Sequence, residues 1–258
     1  MSVSEFYDDT SPKTWQKVIG EDLHYHVGWG EGNIFYNAVK HLYQFIEPKS
    51  TILDCGCGWG GTGKALKRDL NCDVTGVTIS KVQSDYINDN NLFPVILEDL
   101  HDYKPTDKFD ACIFIESFCH LNEPNKVLNN LVGHTDKFIL REYHLKADNI
   151  SKKYFDSWLM NIYSKKELTS TFKELDFKLI YFEEHYDHAL EPTLDLWLHN
   201  LSKIDRIEKT KHIELLEFSA RYLKQYKDQI LNDIGLSLIH ISEPTRPRLI
   251  SYAVFCLK

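Results

Sequence analysis

The sequence predicts an α/β fold built on a doubly wound, mostly parallel sheet, and three observations carry that expectation. Short apolar runs recur along the chain with helical stretches between them, at Thr51 to Cys55, Asp73 to Thr78, Pro94 to Leu97, Ala111 to Glu116 and Phe138 to Tyr143. The first run leads into Asp54-Cys55-Gly56-Cys57-Gly58-Trp59-Gly60-Gly61, a glycine turn that opens into a helix from Thr62 to Leu70. A length of 258 residues with 43% apolar content is enough for one domain with a sizeable core.

The elements follow in order. Phe35 to Phe45 carries apolar residues at helical spacing and stops before Glu47-Pro48, where proline forbids continuation. That helix leads into the first strand. Further on, Ser164 reads as an N-cap with Glu167 at the third helical position, and Asp176 to Phe182 follows as a sixth strand. No internal repeat or low-complexity run interrupts the pattern.

The glycine turn states what the chain binds. Gly56 and Gly58 let the backbone take positive φ and approach a ligand without a Cβ in the way. Gly56-x-Gly58-x-x-Gly61 also satisfies the dinucleotide fingerprint, which leaves an NAD-type oxidoreductase as the alternative. A dinucleotide site wants an acidic ribose reader about 20 residues on. The second strand ends instead in Thr78-Ile79-Ser80. Asp54 places a carboxylate inside the turn, where it favours a cationic amino group and disfavours pyrophosphate. The balance tips to S-adenosylmethionine.

These residues resemble the class I S-adenosylmethionine-dependent methyltransferases with their Rossmann-like sheet. Within them the chain is most similar to the small-molecule group that includes tocopherol, sterol and coclaurine methyltransferases and the cyclopropane fatty acid synthases. The resemblance runs from about Leu23 to Leu201. It rests on His24-Tyr25-His26-Val27-Gly28-Trp29-Gly30, the glycine turn, Val74-Thr75-Gly76-Val77-Thr78-Ile79-Ser80-x-x-Gln83 and Ile115-Glu116-Ser117-Phe118-Cys119-His120.

Several roles are implied by that resemblance. The backbone of Cys55, Gly56, Cys57 and Gly58 lies against the methionine part of the cofactor, with Asp54 in contact. Thr78, Ile79 and Gln83 match positions on the ribose and adenine side. Asp99, flanked by Glu98 and Leu100, matches the adenine-contacting position, and Ile115 and Glu116 sit beside the methyl group. Cyclopropane synthases have a Glu-His pair where this chain has Cys119-His120, which favours simple methyl transfer over cyclopropanation. The first 34 residues hold a flap rich in rings and glycines, with Tyr25 nearest the cofactor and Trp29 toward the acceptor. Residues 35–145 form a cofactor-binding half and residues 146–235 an acceptor-side half of one domain.

Methyl transfer is an in-line displacement, so the protein must align two substrates, exclude water and, for O–H or N–H acceptors, take a proton. His120 is the leading base because it follows the fourth strand at the methyl end and an imidazole titrates near working pH. Glu116 is the other candidate, as a holder of water or cofactor. His144 and Trp158 stand out in an aromatic-rich and histidine-rich region after the fifth strand, suited to enclosing an apolar acceptor or caging an amine. The acceptor is expected to be a small organic molecule methylated on oxygen, nitrogen or activated carbon.

Composition narrows the partners. A formal charge of −8 speaks against a nucleic-acid substrate. Six cysteines without a Cys-x-x-Cys pair point to reduced thiols and a cytoplasmic protein, and no apolar run approaches the length of a membrane span. The His185 to His188 cluster lacks further ligands at metal spacing, so no metal is expected.

The last residues stand apart. Leu236-Ser237-Leu238-Ile239-His240-Ile241-Ser242-Glu243-Pro244-Thr245-Arg246 resembles the translation of a transposase-type sequencing adapter. Ile250 to Leu257 resembles its distal primer segment, and Pro247 to Leu249 fit the space of a sample index. Residues 236–258 are therefore expected to be a non-native tail from shotgun assembly, with the native last strand missing or replaced. The competing reading makes Tyr252 to Leu257 the genuine last strand.

Overall fold

A computed structural model describes residues 3–146, 160–184 and 186–242. The chain opens on α1 (Val3–Asp8) and α2 (Pro12–Ile19), the latter capped by Ser11, whose hydroxyl accepts from the Thr14 N–H. After α3 (Ile34–Lys40) comes a 3-10 turn over His41–Phe45, so the helix expected to Phe45 tightens in its last turns before Pro48. Strands and helices then alternate: β1 (Thr51–Cys55), α4 (Gly61–Leu70), β2 (Asp73–Thr78), α5 (Lys81–Asp89), β3 (Val95–Leu97), β4 (Ala111–Ile115), α6 (Pro124–Leu131) and β5 (Lys137–Leu145). The second half adds β6 (Tyr163–Ser164), α7 (Lys165–Lys173), β7 (Lys178–Glu184), α8 (Tyr186–Leu201), α9 (Lys211–Gln225), α10 (Lys227–Asp233) and β8 (Ile234–Ser242). The capping box at Ser164 and Glu167 is present in both directions. Strand β7 starts two residues later than expected, because Asp176 takes a left-handed turn at φ 63°.

The sheet has the order β3-β2-β1-β4-β5-β8-β7, with β6 extending β5. Pairings β3-β2, β2-β1, β1-β4, β4-β5 and β5-β6 are parallel, while β8 runs antiparallel to both β5 and β7. The strand order reverses between β1 and β4, which opens a crevice at their carboxyl ends where α/β sheets take ligands.

Both faces of the sheet are covered, as a parallel sheet requires. On one face Ile52, Val74, Ile113 and Ile139 pack on Val39, Leu42, Leu66 and Ile87. On the other, Leu53, Phe114, Phe138 and Leu140 pack on Val127, Leu128, Leu168 and Phe172. A third cluster lies over the carboxyl ends of the strands and joins Trp15, Val18 and Phe35 to Leu194, Trp197, Leu216 and Ala220. This cap of α2, α3, α8 and α9 roofs the crevice.

The place of the last strand is filled by Ile234–Ser242, paired with β5 from Lys137↔Ser242 to Leu145↔Ile234 and with β7 from Lys178↔Ser242 to Glu184↔Ser237. Its residues are apolar to both sides: Leu236 joins the cap, Leu238 one face of the sheet, and Ile239 and Ile241 the other. A strand interior to the sheet needs that composition, and the backbone row is paired throughout β8. Gly235 is required by close approach, since a Cβ there would lie 2.1 Å from His144 Cε1. Residues 243–258, with Tyr252 to Leu257, lie outside the described residues.

Candidate active site

A cavity of about 170 Å³ opens at the carboxyl ends of β1, β2 and β4. The glycine turn forms its floor. The Gly56 and Cys57 N–H groups both donate to Val77 O, at 2.9 and 3.0 Å, which folds the turn onto the end of β2. Gly56 has φ +81°, and a Cβ there would lie 2.6 Å from Ser117 Cβ. Ser117 Oγ in turn donates to Cys55 O at 2.6 Å, fastening the end of β4 to the end of β1.

Asp54 is the electrostatic centre of this floor. The residue is buried and its Oδ2 has no hydrogen-bond partner among the described residues, while its side chain lines the cavity. Burial raises its carboxyl to about 7. An unpartnered buried carboxylate oxygen beside a cavity is costly alone and is relieved by a cation.

Across the cavity, Thr78 Oγ1 donates to Gln83 Oε1 at 2.9 Å and accepts from the Ser80 N–H at 3.2 Å. Ile79, Glu98, Asp99 and Leu100 complete that wall. Asp99 Oδ1 accepts from the His101 N–H at 2.9 Å and lies 2.6 Å from His101 Nδ1. Burial pushes the Asp99 carboxyl up, but the His101 contacts outweigh it and hold the group below the usual range.

Glu116 ends β4 in the left-handed region, at φ 51°, with its N–H donated to Arg141 O at 2.8 Å. Such backbone in a non-glycine residue is strained and persists because its surroundings hold it. The Glu116 carboxylate accepts from the Val27 N–H at 2.9 and 3.1 Å and from Tyr143 Oη at 3.0 Å, and pairs with Arg141. Arg141 also donates to Gly28 O at 3.0 Å, and the Gly28 N–H donates to Thr193 Oγ1 at 2.8 Å. The flap is thus clamped at Val27 and Gly28 by a buried ion pair and by α8. Burial raises the Glu116 carboxyl, and the Arg141 guanidinium opposes that rise.

His120 sits on a 3-10 turn, Phe118–His120, held from below by Glu142. Glu142 accepts from the Phe118 and Cys119 N–H groups at 2.9 and 3.3 Å. Burial, and then the nearby Glu116, push its carboxyl up to about 8. His120 Nε2 lies 2.8 Å from Tyr7 Oη, and Tyr25 Oη lies 2.8 Å from His212 Nε2. Helix α1, which brings Tyr7, is pinned by Asp8, which accepts from Ser80 Oγ at 2.5 Å and from the Val82 N–H at 3.3 Å.

A second cavity of about 120 Å³ adjoins the first, and Tyr7, Tyr25, His26, Glu116 and His120 line both. It runs on between Leu190 and Leu194 of α8 and Leu216 and Leu223 of α9. One cavity is floored by the glycine turn and the carboxylate, the other is walled mostly by apolar side chains, and they meet at Tyr25 and at the Tyr7–His120 pair.

Most residues singled out in the sequence converge here. Tyr25, Asp54, Gly56, Cys57, Gly58, Thr78, Ile79, Gln83, Glu98, Asp99, Leu100, Ile115, Glu116 and His120 all line the first cavity. Three are placed elsewhere. The Cys55 side chain is buried in the sheet against β4 and β5. Trp29 is half-buried, packs on the cap cluster and stacks on His41, with ring centroids 4.8 Å apart. His144 points to the opposite face of β5 and meets Ser237 Oγ at 3.0 Å and Glu184 at 3.2 Å, which corrects its expected place in the acceptor pocket. Successive strand residues alternate sides, and it is Tyr143 that reaches the second cavity. Trp158 and His185 lie outside the described residues. Tyr7 went unread because it stands 113 residues from its partner His120 and outside every glycine motif.

Residues 52–137, from β1 to the start of β5, match the family model described as "Methyltransferase domain". That match covers about a third of the chain. The matched stretch holds the glycine turn, Asp54, Thr78, Asp99, Glu116 and His120. The chain is 32% identical over 94 residues to "Sterol methyltransferase-like 2" of Botryococcus braunii, covering 33% of this chain and 24% of that protein. The chain thus spans about a quarter of that relative's length. Among solved structures, the cyclopropane synthase MmaA2 from Mycobacterium tuberculosis superposes with a TM-score of 0.76 at 15% identity, covering 93% of this chain and 98% of that one. Coclaurine N-methyltransferase bound to N-methylheliamine and SAH gives a TM-score of 0.73 at 17% identity, over 93% and 85% of the two chains. The fold is that of the class I, Rossmann-like methyltransferases, with a mostly parallel central sheet.

Proposed function

We propose that this chain is an S-adenosylmethionine-dependent methyltransferase that acts on a small organic acceptor. The observation that carries this reading is Asp54: a buried carboxylate, just before the glycine turn and among the residues lining the first cavity, with one oxygen that has no hydrogen-bond partner among the described residues. The residues present fit such a cofactor. Asp54 suits its amino group, and the open space above Gly58, where a Cβ would meet nothing within 4 Å, admits its backbone. Thr78, Gln83 and Asp99 are the polar groups on the ribose and adenine side. When bound, the cofactor supplies a methyl group on a cationic sulfur.

The chain's own residues do the rest. Glu116 and Arg141 clamp the flap through Val27 and Gly28, which excludes water and fixes the wall between the two cavities. Glu142 sets the turn on which His120 stands. The Tyr7 and His120 pair lies where an acceptor's proton must leave, and His120 is the group able to hold it. Glu116 has its carboxylate engaged on Arg141, Tyr143 and Val27 and acts as a positioning residue.

Five described cysteines, Cys55, Cys57, Cys72, Cys112 and Cys119, are free, which supports a reducing compartment such as the cytoplasm. No helix among the described residues is long and apolar enough to cross a membrane. Calorimetry with S-adenosylhomocysteine and with NADH tests the reading: micromolar binding of the first alone is expected, and preference for NADH would refute it. Tritiated-methyl transfer to a metabolite extract then shows turnover.

A further inference from the structure

The two cavities differ in kind, and the difference bears on the acceptor. Among the described residues the titratable groups of the second cavity gather at its mouth, where Tyr7, Tyr25, His26, Glu116 and His120 are shared with the first cavity, and Glu116 is already matched by Arg141; Trp197 and Ser219 add one indole N–H and one hydroxyl to walls that are otherwise mostly apolar. Its body is walled by Leu190, Leu194, Leu216 and Leu223. Apolar walls take up apolar surface and give no return for a charged group brought out of water. The volume of about 120 Å³ is the scale of a cavity that accepts a single benzene-sized ring.

The mouth adds a chemical requirement. The phenol and imidazole that line both cavities form one hydrogen-bonded pair, 2.8 Å apart. Such a pair relays a proton: an acceptor proton passes to the Tyr7 oxygen while the Tyr7 hydroxyl proton passes to His120 Nε2. In the same event the acceptor's heteroatom forms its bond to the methyl carbon, and the methyl–sulfur bond breaks with its electron pair left on sulfur. An acceptor that loses no proton on methylation has no use for the arrangement.

From these two features, which rest on the methyl-transfer reading above, we infer that the acceptor is a compact, single-ring-sized apolar molecule bearing one protic group, a hydroxyl or an amine. The ring lies between α8 and α9, and the protic group faces Tyr7 and His120. Diphosphates or free amino acids bring charge that the walls do not meet.

The test uses the full chain saturated with S-adenosylhomocysteine. Simple phenols and anilines, a long-chain alcohol, a prenyl diphosphate and glycine are titrated separately, and tritiated-methyl transfer to each is measured with the methyl donor. Binding and methylation confined to the phenols or anilines are expected. Leu194→Trp, which fills the apolar body, is expected to weaken ring binding by about tenfold or more while leaving S-adenosylhomocysteine affinity unchanged. Leu223→Phe, at a half-buried position, repeats the experiment should Leu194→Trp fail to fold. Equal or better use of the long-chain or charged compounds, or ring binding indifferent to both variants, overturns the inference. Absence of S-adenosylhomocysteine binding overturns the methyl-transfer reading itself, so the two failures are told apart.

Discussion

The Tyr7 hydroxyl lies 2.8 Å from His120 Nε2 at the wall common to both cavities, joining the first helix of the chain to the turn after β4. Burial holds the Tyr7 phenol well above its ordinary value, so it serves as a neutral relay and not as a phenolate. Tyr7→Phe is expected to lower kcat by about 10²-fold for a protic acceptor. S-adenosylhomocysteine affinity should stay within about twofold of the parent. A variant with full kcat would remove Tyr7 from the reaction.

Asp54 gives a pH signature. Its carboxyl is raised to about 7 by burial, above the roughly 3.9 of an unfolded chain, so between those values the folded state holds the extra proton. Stability of the ligand-free protein therefore falls as pH rises through that window, by on the order of 4 kcal/mol. Asp54→Asn should flatten the slope in urea titrations at pH 5 and pH 8.

The same group acts oppositely on the ligand. A cationic amino group needs the carboxylate, so S-adenosylhomocysteine should bind more tightly as pH rises from 5.5 to about 7 and then level off, since an α-amino group keeps its charge to roughly 8. Asp54→Ala should cost about 10²-fold in affinity and remove this pH dependence in calorimetry. Unchanged affinity would refute the role given to Asp54.

Glu116 and Arg141 are both buried, and removing one strands the other. Glu116→Ala is expected to destabilise the fold by about 3–5 kcal/mol, read by chemical denaturation. The Val27 N–H loses its partner as well, so protease cleavage within residues 24–30 should accelerate. A loss under about 1 kcal/mol would mean the pair does not clamp the flap.

The tail is tested at the locus. Residues 236–258 are expected to derive from an adapter, so amplification from source DNA should read a different sequence after Gly235, and an intact tail would overturn that expectation. Whatever replaces it must still put apolar side chains on both faces between β5 and β7. Gly235→Ala should destabilise by about 1–3 kcal/mol or more, since its Cβ would overlap the His144 ring.

What the sequence disclosed follows from the range of the physics involved. The glycine turn, the hydroxyl-bearing end of β2 and the capping box at Ser164 are local patterns, and each appears in the structure where its residues predict it. His144 was misplaced because a one-residue step along β5 exchanges the cavity face for the opposite one, and composition alone does not set that phase. Tyr7 and the Asp8 contacts to α5 join segments more than 70 positions apart, which no spacing rule reaches. Gly235 gave no signal, because its necessity lies in the His144 ring across the ladder.

Among the described residues, strand β8 is later in the chain than every other strand of the sheet, yet it lies between β5 and β7 and not at a margin. During synthesis the ribosome therefore delivers both neighbours long before the piece that joins them. Until Ser242 has emerged, β5 carries an unfilled edge toward β8, and β7 has no hydrogen-bonded place in the sheet. Any native segment that takes the place of residues 236–242 meets the same constraint, since an interior place filled last leaves a strand edge open until then, and an open edge invites aggregation.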